Sequence, residues 1–411
     1  MVIVLLAGLR PAWQASRLQP LAVFRGQHEV KLSSRRLQRF TASLPTTVGL
    51  SIRSSLRKPM RVGFTFFAVG ISMLLFGSML FMLESMEDSF IGGIKDRQSW
   101  EVQASNSPGG EDAIVEWVEE NGGQYELLIN FPIGLEDDNR EITAFGLDNI
   151  STVSDGGSMI MVDLMEGDIP VRDSATMQVL IDEGTSVFLE WDTGDVVPIY
   201  VGNMQYEVEI SGITKGEISR TIYLYREDLS QMVGIESTSV LIQLSDDDKS
   251  LDGLAELSVG YTKKADAINT FETLLEQQKQ FFYAIESLGV IIAVAVLFNT
   301  LLMNLAERDT ELATLRVLGA PMNKLGKMMF WEHLGIGVIG GVLGAVFAYF
   351  GTVLLASSMV QWAFYFTISP APSAIITIAG VVIGISVALT PFGMWRIKKM
   401  NLVDKVKDLS N

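Results

Sequence analysis

A short charged segment lies between two long apolar runs and offers the clearest chemistry in this 411-residue chain. It covers residues 307–327 and reads ERDTELATLRVLGAPMNKLGK. A charged helix of this length can neither cross a bilayer nor lie in an apolar core. The segment is therefore predicted to act as a lever against which a soluble partner pushes.

Motifs that support catalysis are missing from the sequence. There is no G-x-x-x-x-G-K-[ST] phosphate loop, G-x-S-x-G, H-E-x-x-H or C-x-x-C pattern, and the chain has no cysteine. His28 and His333 lie far apart in the sequence, whereas imidazole metal sites usually recruit several such groups. The acid clusters 136–138 and 246–248 lack the spacing of a calcium loop and are predicted to be solvated turns. We expect no catalytic, cofactor or metal site in this chain.

The net charge of −17 averages over regions of opposite sign. Residues 10–61 contain eleven Lys/Arg and one acid, whereas residues 62–280 contain forty Asp/Glu and eleven Lys/Arg. Basic flanks of membrane spans stay in the cytoplasm, and long domains translocate largely regardless of charge. The acidic region is thus predicted to lie outside the cell membrane, and its charge argues against binding nucleic acid.

Four apolar runs reach the roughly 20 residues needed to cross a bilayer. They predict an α-helical integral membrane protein, with four transmembrane helices and a large extracytoplasmic α+β domain. The predicted domains are 1–25, the end of a preceding homologous half; 26–61, a basic linker with an amphipathic helix; spans 62–83, 282–305, 334–357 and 373–394; the outer domain with its stalk, 84–281; a cytoplasmic segment, 306–331; and a cytoplasmic tail, 395–411.

The N-terminal assignment depends on an internal repeat. Trp13-x3-Arg17 and the residues after it align with Trp395-x3-Lys399 and its successors, and both follow an apolar run. Residues 1–9 are therefore expected to be the end of the last span of an earlier half; coincidence between two basic segments is the alternative. Between them and the first span, apolar and basic residues alternate at helical spacing over 48–61, which predicts an interfacial helix, although a basic linker would look similar.

The acidic region shows the alternation of strands. Strands are predicted at 100–104, 125–131, 142–147, 159–164, 177–181, 196–201, 205–213, 221–225 and 239–244, with a helix at 111–120. Ile268, Phe271, Leu275, Gln278 and Phe282 then follow a 3-4-3-4 spacing. This heptad-like seam predicts a stalk continuous with the second span; a simple connector fits the spacing equally well.

The third span is rich in glycine. Gly337/Gly341 and Gly340/Gly344 are small-xxx-small pairs, which allow close approach of helices in lipid. No span carries an ionisable residue near its middle, which argues against proton-coupled or ion-coupled transport.

The charged segment also carries a family resemblance. Arg308-x2-Glu311-x3-Leu315-Arg316-x-Leu318-Gly319-Ala320, with Glu332 at the next span, resembles the signature of the FtsX-like permease family, the MacB/LolC-type branch of ABC transporters. Residues 194–213 are similar to part of the MacB-like periplasmic core domain of that family. The resemblance covers nearly the whole chain and is best over 300–345.

Membership would imply the permease subunit of an ABC transporter, with ATP bound by a separate ATPase subunit. The residues implied in docking on that ATPase are Glu307, Arg308, Glu311, Leu315, Arg316, Leu318, Gly319 and Ala320, with Arg308, Glu311 and Arg316 as polar contacts. A second FtsX-like half and membrane lipid are the other implied partners. The implied mechanism is mechanotransmission: ATP-driven movement inside reshapes the outer domain for export, extraction or signalling. The alternative is a membrane-anchored sensor or scaffold that binds a partner without ATP.

Overall fold

The computed structural model describes residues 59–399 except 136–137, 173, 175, 217–218, 245–250, 360, 363–364 and 370. The predicted segment 1–25, nearly all of 26–61, the cluster 246–248 and most of the tail lie outside the described residues. Contacts divide the chain into two compact units. Among the described residues, the smaller unit contains 59–65, Glu307–Gly335 and 390–399, and the larger unit contains Phe66–Ala306 and Ile336–Leu389.

The described elements alternate long helices with a region of short strands. The helices are α1 (Pro59–Glu87), α2 (Gly93–Arg97), α3 (Glu111–Glu120), α4 (Glu183–Leu189), α5 (Arg226–Val233), α6 (Asp252–Leu257), α7 (Lys264–Glu307), α8 (Asp309–Val317), α9 (Met322–Met359), α10 (Pro372–Ala388) and α11 (Thr390–Lys398), with a π-helical turn at Asp88–Gly92. The strands are β1 (Val102–Ser105), β2 (Gln124–Leu135), β3 (Asp138–Leu147), β4 (Ser151–Thr152), β5 (Met161–Val162), β6 (Leu164–Gly167), β7 (Met177–Asp182), β8 (Val196–Val201), β9 (Met204–Thr214), β10 (Thr221–Tyr225), β11 (Ser239–Gln243) and β12 (Gly260–Lys263).

Four helical segments are long and apolar enough to cross a membrane. They are Val62–Arg97, Lys264–Glu307, Met322–Ser358 and Pro372–Lys398. The prediction of four such helices beside a sheet-rich region is confirmed. The 44-residue helix α7 extends about 66 Å at 1.5 Å per residue. This length is roughly twice the 30 Å thickness of a hydrocarbon core.

The sheet-rich region is one mixed sheet with a small satellite. Its strand order is β12-β1-β11-β2-β3-β10-β7-β9-β6, and β8 pairs with β2 and β9. Pairs β3/β10 and β7/β9 are parallel, and the remaining pairs of this sheet are antiparallel. Buried aliphatic side chains from β2, β3 and β7 to β10 form the largest core, which includes Ile129, Val179 and Ile222. Alternating and β-branched residues thus made most strands predictable.

The predicted strand 159–164 is wrong as a single element. Met161–Val162 forms β5, which pairs with β4 in a separate two-stranded sheet, whereas Leu164–Gly167 forms β6, which pairs with β9. The chain changes partner at Asp163, whose carbonyl oxygen accepts a hydrogen bond from the Lys215 amide at 2.8 Å.

The predicted seam of α7 packs against α1. Leu275 and Phe282 are buried in a cluster with methionine, leucine and phenylalanine side chains of α1 and the π-helical turn, while Gln278 is exposed. The Lys279–Glu87 ion pair, at 3.3 Å, adds a polar contact between the two helices. The contacts between α1 and α7 therefore continue beyond the roughly 20 residues that a helix needs to cross a bilayer.

Glycines let α9 approach two neighbours closely. A Cβ added at Gly337 or Gly341 would lie 3.0 and 2.9 Å from the α-carbons of Ile383 and Ala379 in α10. A Cβ at Gly340 or Gly344 would instead lie 3.0 Å from side chains of α1. Each small-xxx-small pair therefore packs against a different helix.

We expect Gly341→Ala to weaken the helix packing, because the added methyl group meets the backbone of Ala379, which cannot rotate away. Overpacking of this kind costs about 1–3 kcal/mol. Gly380→Ala in α10 is the matched control, since nothing lies within 4 Å of its added Cβ. Thermal unfolding of the purified protein in detergent should show a lower midpoint for Gly341→Ala alone. Equal midpoints would contradict the close packing.

Candidate functional site

The charged segment folds as a short helix with defined ends. Helix α7 stops at Glu307, and Arg308 has the non-helical φ of −106° that separates it from α8. Asp309 and Glu311 occupy the first turn of α8 and Arg316 its last turn. This order of charges complements the helix dipole.

A Schellman motif ends α8. The amide of Ala320 donates to the carbonyl of Leu315 at 2.9 Å, and the amide of Gly319 donates to that of Arg316 at 3.0 Å. Gly319 has a φ of +86°, the left-handed conformation that this motif requires. Pro321 follows and cannot continue the helix. The Gly-Ala-Pro sequence therefore fixes where the segment turns toward α9.

Helix α8 has a buried and an exposed face. Leu312 and Ala313 are fully buried, while Leu315 and Arg316 are half-buried. Glu311, Thr314 and Leu318 are exposed and follow the spacing of one helix face. One face of α8 thus packs against the rest of the smaller unit, and the opposite face is exposed.

Arg308 points into the smaller unit. Its Nη1 lies 2.7 Å from Oε2 of Glu332 in α9, and the two side chains are only 17% and 8% exposed. Its Nε also lies 3.5 Å from Glu311. Because a buried charge needs a partner, this pair holds the start of α8 against α9 in one geometry.

Arg316 braces the other end of α8. Its Nη1 donates to the carbonyl oxygen of Ile397 at 2.8 Å. Ile397 lies in the last turn of α11, where the helix dipole is negative and unsatisfied carbonyls favour a cation. Arg308 and Arg316 therefore connect the two ends of α8 to two different helices of the same unit.

Further contacts join α9 to α11 within this unit. Nδ1 of His333 and Oγ1 of Thr390 are 3.1 Å apart and buried. A Cβ added at Gly326 would lie 2.7 Å from the sulfur of Met394. Helices α8 and α11 and the first part of α9 thus form one packed support.

The exposed tip of α8 is apolar. Leu318 is 77% exposed and Val317 is 57% exposed. Of the predicted site residues, Glu307, Glu311, Leu318 and Gly319 are exposed, whereas Arg308, Leu315, Arg316 and Ala320 are half-buried. The sequence reasoning missed Val317. An aliphatic pair directly before a helix-ending glycine is the signal that would have found it.

Comparison with known proteins identifies a family domain in the C-terminal part of the chain. Residues 284–402 match the family described as FtsX-like permease C-terminal, so the charged segment, α9, α10 and α11 belong to an FtsX-like permease domain. The resemblance predicted from Arg308 to Ala320 is confirmed.

One curated relative is the ABC transporter permease YtrF of Bacillus subtilis (strain 168). It is 24% identical over 217 residues, which are 47% of this chain and 49% of the relative, so the match spans about half the length of each. Among solved structures, the extracellular domain of the noncanonic ABC-type transporter YknZ from Gram-positive bacteria aligns with a TM-score of 0.27 and 16% identity. That alignment covers 42% of this chain and 94% of that one. These comparisons show an FtsX-like permease domain in the C-terminal region of the chain and a distant similarity to an ABC transporter permease.

The Arg308–Glu332 pair should behave as a coupled unit. We expect Arg308→Ala and Glu332→Ala each to lower the free energy of unfolding, because each leaves a buried charge without its partner. In a double-mutant cycle the coupling energy should reach about 1–3 kcal/mol. Reversible unfolding in mixed micelles measures it.

The exposed pair Lys95–Glu272 is the control for this cycle. Its side chains are 50% and 44% exposed, and exposed pairs contribute about 0.2–1 kcal/mol. A coupling energy for Arg308–Glu332 no greater than that of the control would contradict its role as a brace.

Proposed function

We propose that this chain is the transmembrane subunit of an ABC transporter complex and couples ATP hydrolysis by a separate ATPase to work at the outer face of the cell membrane. The observation that carries the proposal is helix α8, which is braced at both ends and has an exposed apolar tip. A helix that served only to connect two spans would need neither feature.

The proposed topology follows from charge. The basic residues before the first apolar helix lie inside, the acidic sheet domain within 84–281 lies outside, and α8 lies inside between the second and third spans. This places the exposed tip on the side where ATP is available, so a cytoplasmic ATPase can reach it.

The tip is proposed to enter an apolar cleft of the ATPase. Leu318 and Val317 would fill the cleft, and the exposed carboxylates Glu307 and Glu311 would form the polar rim that surrounds such interface centres. Arg308 and Arg316, which were expected to contact the ATPase, are better suited to position α8, because their guanidinium groups already bind Glu332 and the Ile397 carbonyl.

Displacement of α8 would then pass into long helices. Helix α9 is unbroken from Met322 to Met359, and α7 is unbroken from Lys264 to Glu307. A continuous helix is stiff along its axis, so a push at the inner end emerges at the outer end. This supports mechanotransmission, in which the outer domain changes shape while the substrate need not pass between the spans.

A second four-span half is proposed to complete the transporter, in the same polypeptide or as another subunit, with lipid around the remaining helix faces. Exposed apolar side chains such as Phe281, Ile291 and Phe350 offer surface for both. A sensor or scaffold that works without ATP remains the competing function, and the following experiment separates the two.

Leu318→Asp should uncouple the complex. A charge at the apolar tip disfavours entry into a nonpolar cleft, so stimulation of the co-purified ATPase by the permease should fall at least about tenfold, a loss of about 1.4 kcal/mol of coupling. Leu257→Asp, on an exposed leucine of the outer domain, is the matched control. Both variants should insert and unfold as the original protein does.

Wild-type ATPase stimulation by Leu318→Asp would count against docking through this tip. Normal biological activity of the permease after deletion of every ATPase that co-purifies with it would favour the sensor or scaffold instead.

A further inference from the structure

The connection between α9 and α10 packs against other parts of the larger unit. Its described residues 361–362 and 365–369, here called the strap, carry no charge and include Trp362, Tyr365 and Phe366. Tyr365 and Phe366 are buried. This burial explains why the segment carries no charge.

The strap has two faces, which are formed by alternate side chains of residues 365–368. Tyr365 and Thr367 contact the sheet domain, whereas Phe366 and Ile368 pack into the cluster formed by α1, α7 and the end of α9. Alternate side chains of one short segment therefore contact two surfaces at once.

Thr367 forms a polar link to the domain. Its hydroxyl accepts a hydrogen bond from the Gly216 amide at 3.0 Å and donates one to the Glu183 carboxylate at 2.5 Å. A Cβ added at Gly216 would lie 2.7 Å from the ring of Tyr365, so this glycine allows the close approach.

Tyr365 covers a buried ion pair. Its ring lies 5.1 Å from the guanidinium carbon of Arg220, which forms an ion pair with Asp182 at 3.3 Å. The side chains of Arg220 and Asp182 are at most 1% exposed. Burial raises the pKa of the Tyr365 phenol, and the nearby Glu183 carboxylate raises it further, so the phenol stays neutral.

Trp362 adds a third point of attachment. Its indole N–H donates to the carbonyl oxygen of Glu141 at 3.2 Å, and the guanidinium carbon of Arg140 lies 4.2 Å from the ring centroid. Phe188 of α4 meets the same ring edge-on at 5.9 Å. Trp362 also packs against the main core of the sheet domain.

The opposite face is anchored to the helices. Phe366 is 1% exposed and lies in the cluster that contains Leu275 and Phe282 of α7. The amide of Ser369 donates to the hydroxyl of Ser85 in α1 at 3.1 Å. Release from either surface would expose a buried aromatic side chain to water.

We propose that the strap is a permanent tie that makes the sheet domain and the α9–α10 hairpin move as one body. This inference rests on the proposed function and deepens it, because it specifies how movement of α9 reaches the sheet domain, in addition to the route through α7. Movement of α9 then reaches the sheet through Trp362, Tyr365 and Thr367, and the domain is driven from two sides.

A disulfide lock tests whether the strap stays attached. The chain has no cysteine, so Gly216→Cys with Thr367→Cys introduces one pair. A Cβ at 216 would lie 2.8 Å from the Oγ1 of Thr367, which brings the two sulfurs within bonding reach. The same Cβ also meets the ring of Tyr365, so the reduced form of the variant is the reference for the oxidised form. In complex with the co-purified ATPase, the oxidised and reduced samples should have the same ATPase rate. Loss of the rate on oxidation, with recovery on reduction, would overturn the proposal, because the strap would then have to detach.

Distance measurements test whether the two parts move together. Spin labels on Met204→Cys in the domain and Ser358→Cys at the end of α9 occupy exposed positions. In the complex, pulsed electron spin resonance should give the same distance distribution without nucleotide and with ADP–vanadate. Adding Trp362→Ala and Tyr365→Ala should broaden the distribution; adding Phe350→Ala, an exposed aromatic on α9, should not.

Two results would overturn the tie: a nucleotide-dependent shift with the strap intact, or an unchanged narrow distribution in the Trp362/Tyr365 variant. The nucleotide-free distributions report on the strap even if the chain fails to stimulate any ATPase. Failure of the proposed function is therefore visible separately, as absence of stimulation by the original protein.

Discussion

The ion pair between Arg308 and Glu332 is the constraint on which the smaller unit of this protein depends. Both side chains are largely removed from water, and an unpaired charge in such a place is strongly destabilising. The pair therefore accepts few alternative positions of α8 relative to α9. With Arg316 bound to the end of α11, α8 cannot swing independently of the helices that support it.

This rigidity allows α8 both to be held by its own unit and to present an exposed tip. Its buried face and two arginines are used for support, while Val317 and Leu318 are exposed at the tip. In the larger unit, too, single segments contact two neighbours at once. Glycines of α9 bring three helices into close contact, and the strap uses alternate side chains to bind a sheet on one side and helices on the other.

Local pattern predicted much of this architecture. The four apolar helices, the seam of α7 and most strands follow from hydropathy and periodicity, because each depends on residues close in the chain. Strand β12 was missed because all four of its residues are exposed and show no alternation. The division of 159–164 between β5 and β6 depends on distant partner strands.

The candidate site was predictable in position but not in geometry. The Gly319-Ala320-Pro321 sequence marks the end of α8, yet Glu332 and Ile397, which hold its arginines, lie 24 and 81 residues away from them. Whether a charged side chain faces a partner or its own fold is decided by such distant contacts. The strap illustrates the same limit, since an uncharged loop and a buried one look alike in sequence.

Site-specific photo-crosslinking in intact membranes tests the central claim most directly. A photoreactive amino acid replaces in turn Val317, Leu318 and, as a buried reference, Leu312. We expect adducts with a cytoplasmic ATPase from positions 317 and 318 and none from position 312. Labelling of position 318 by an impermeant reagent from outside the cell, or no ATPase adduct from either exposed position, would contradict it.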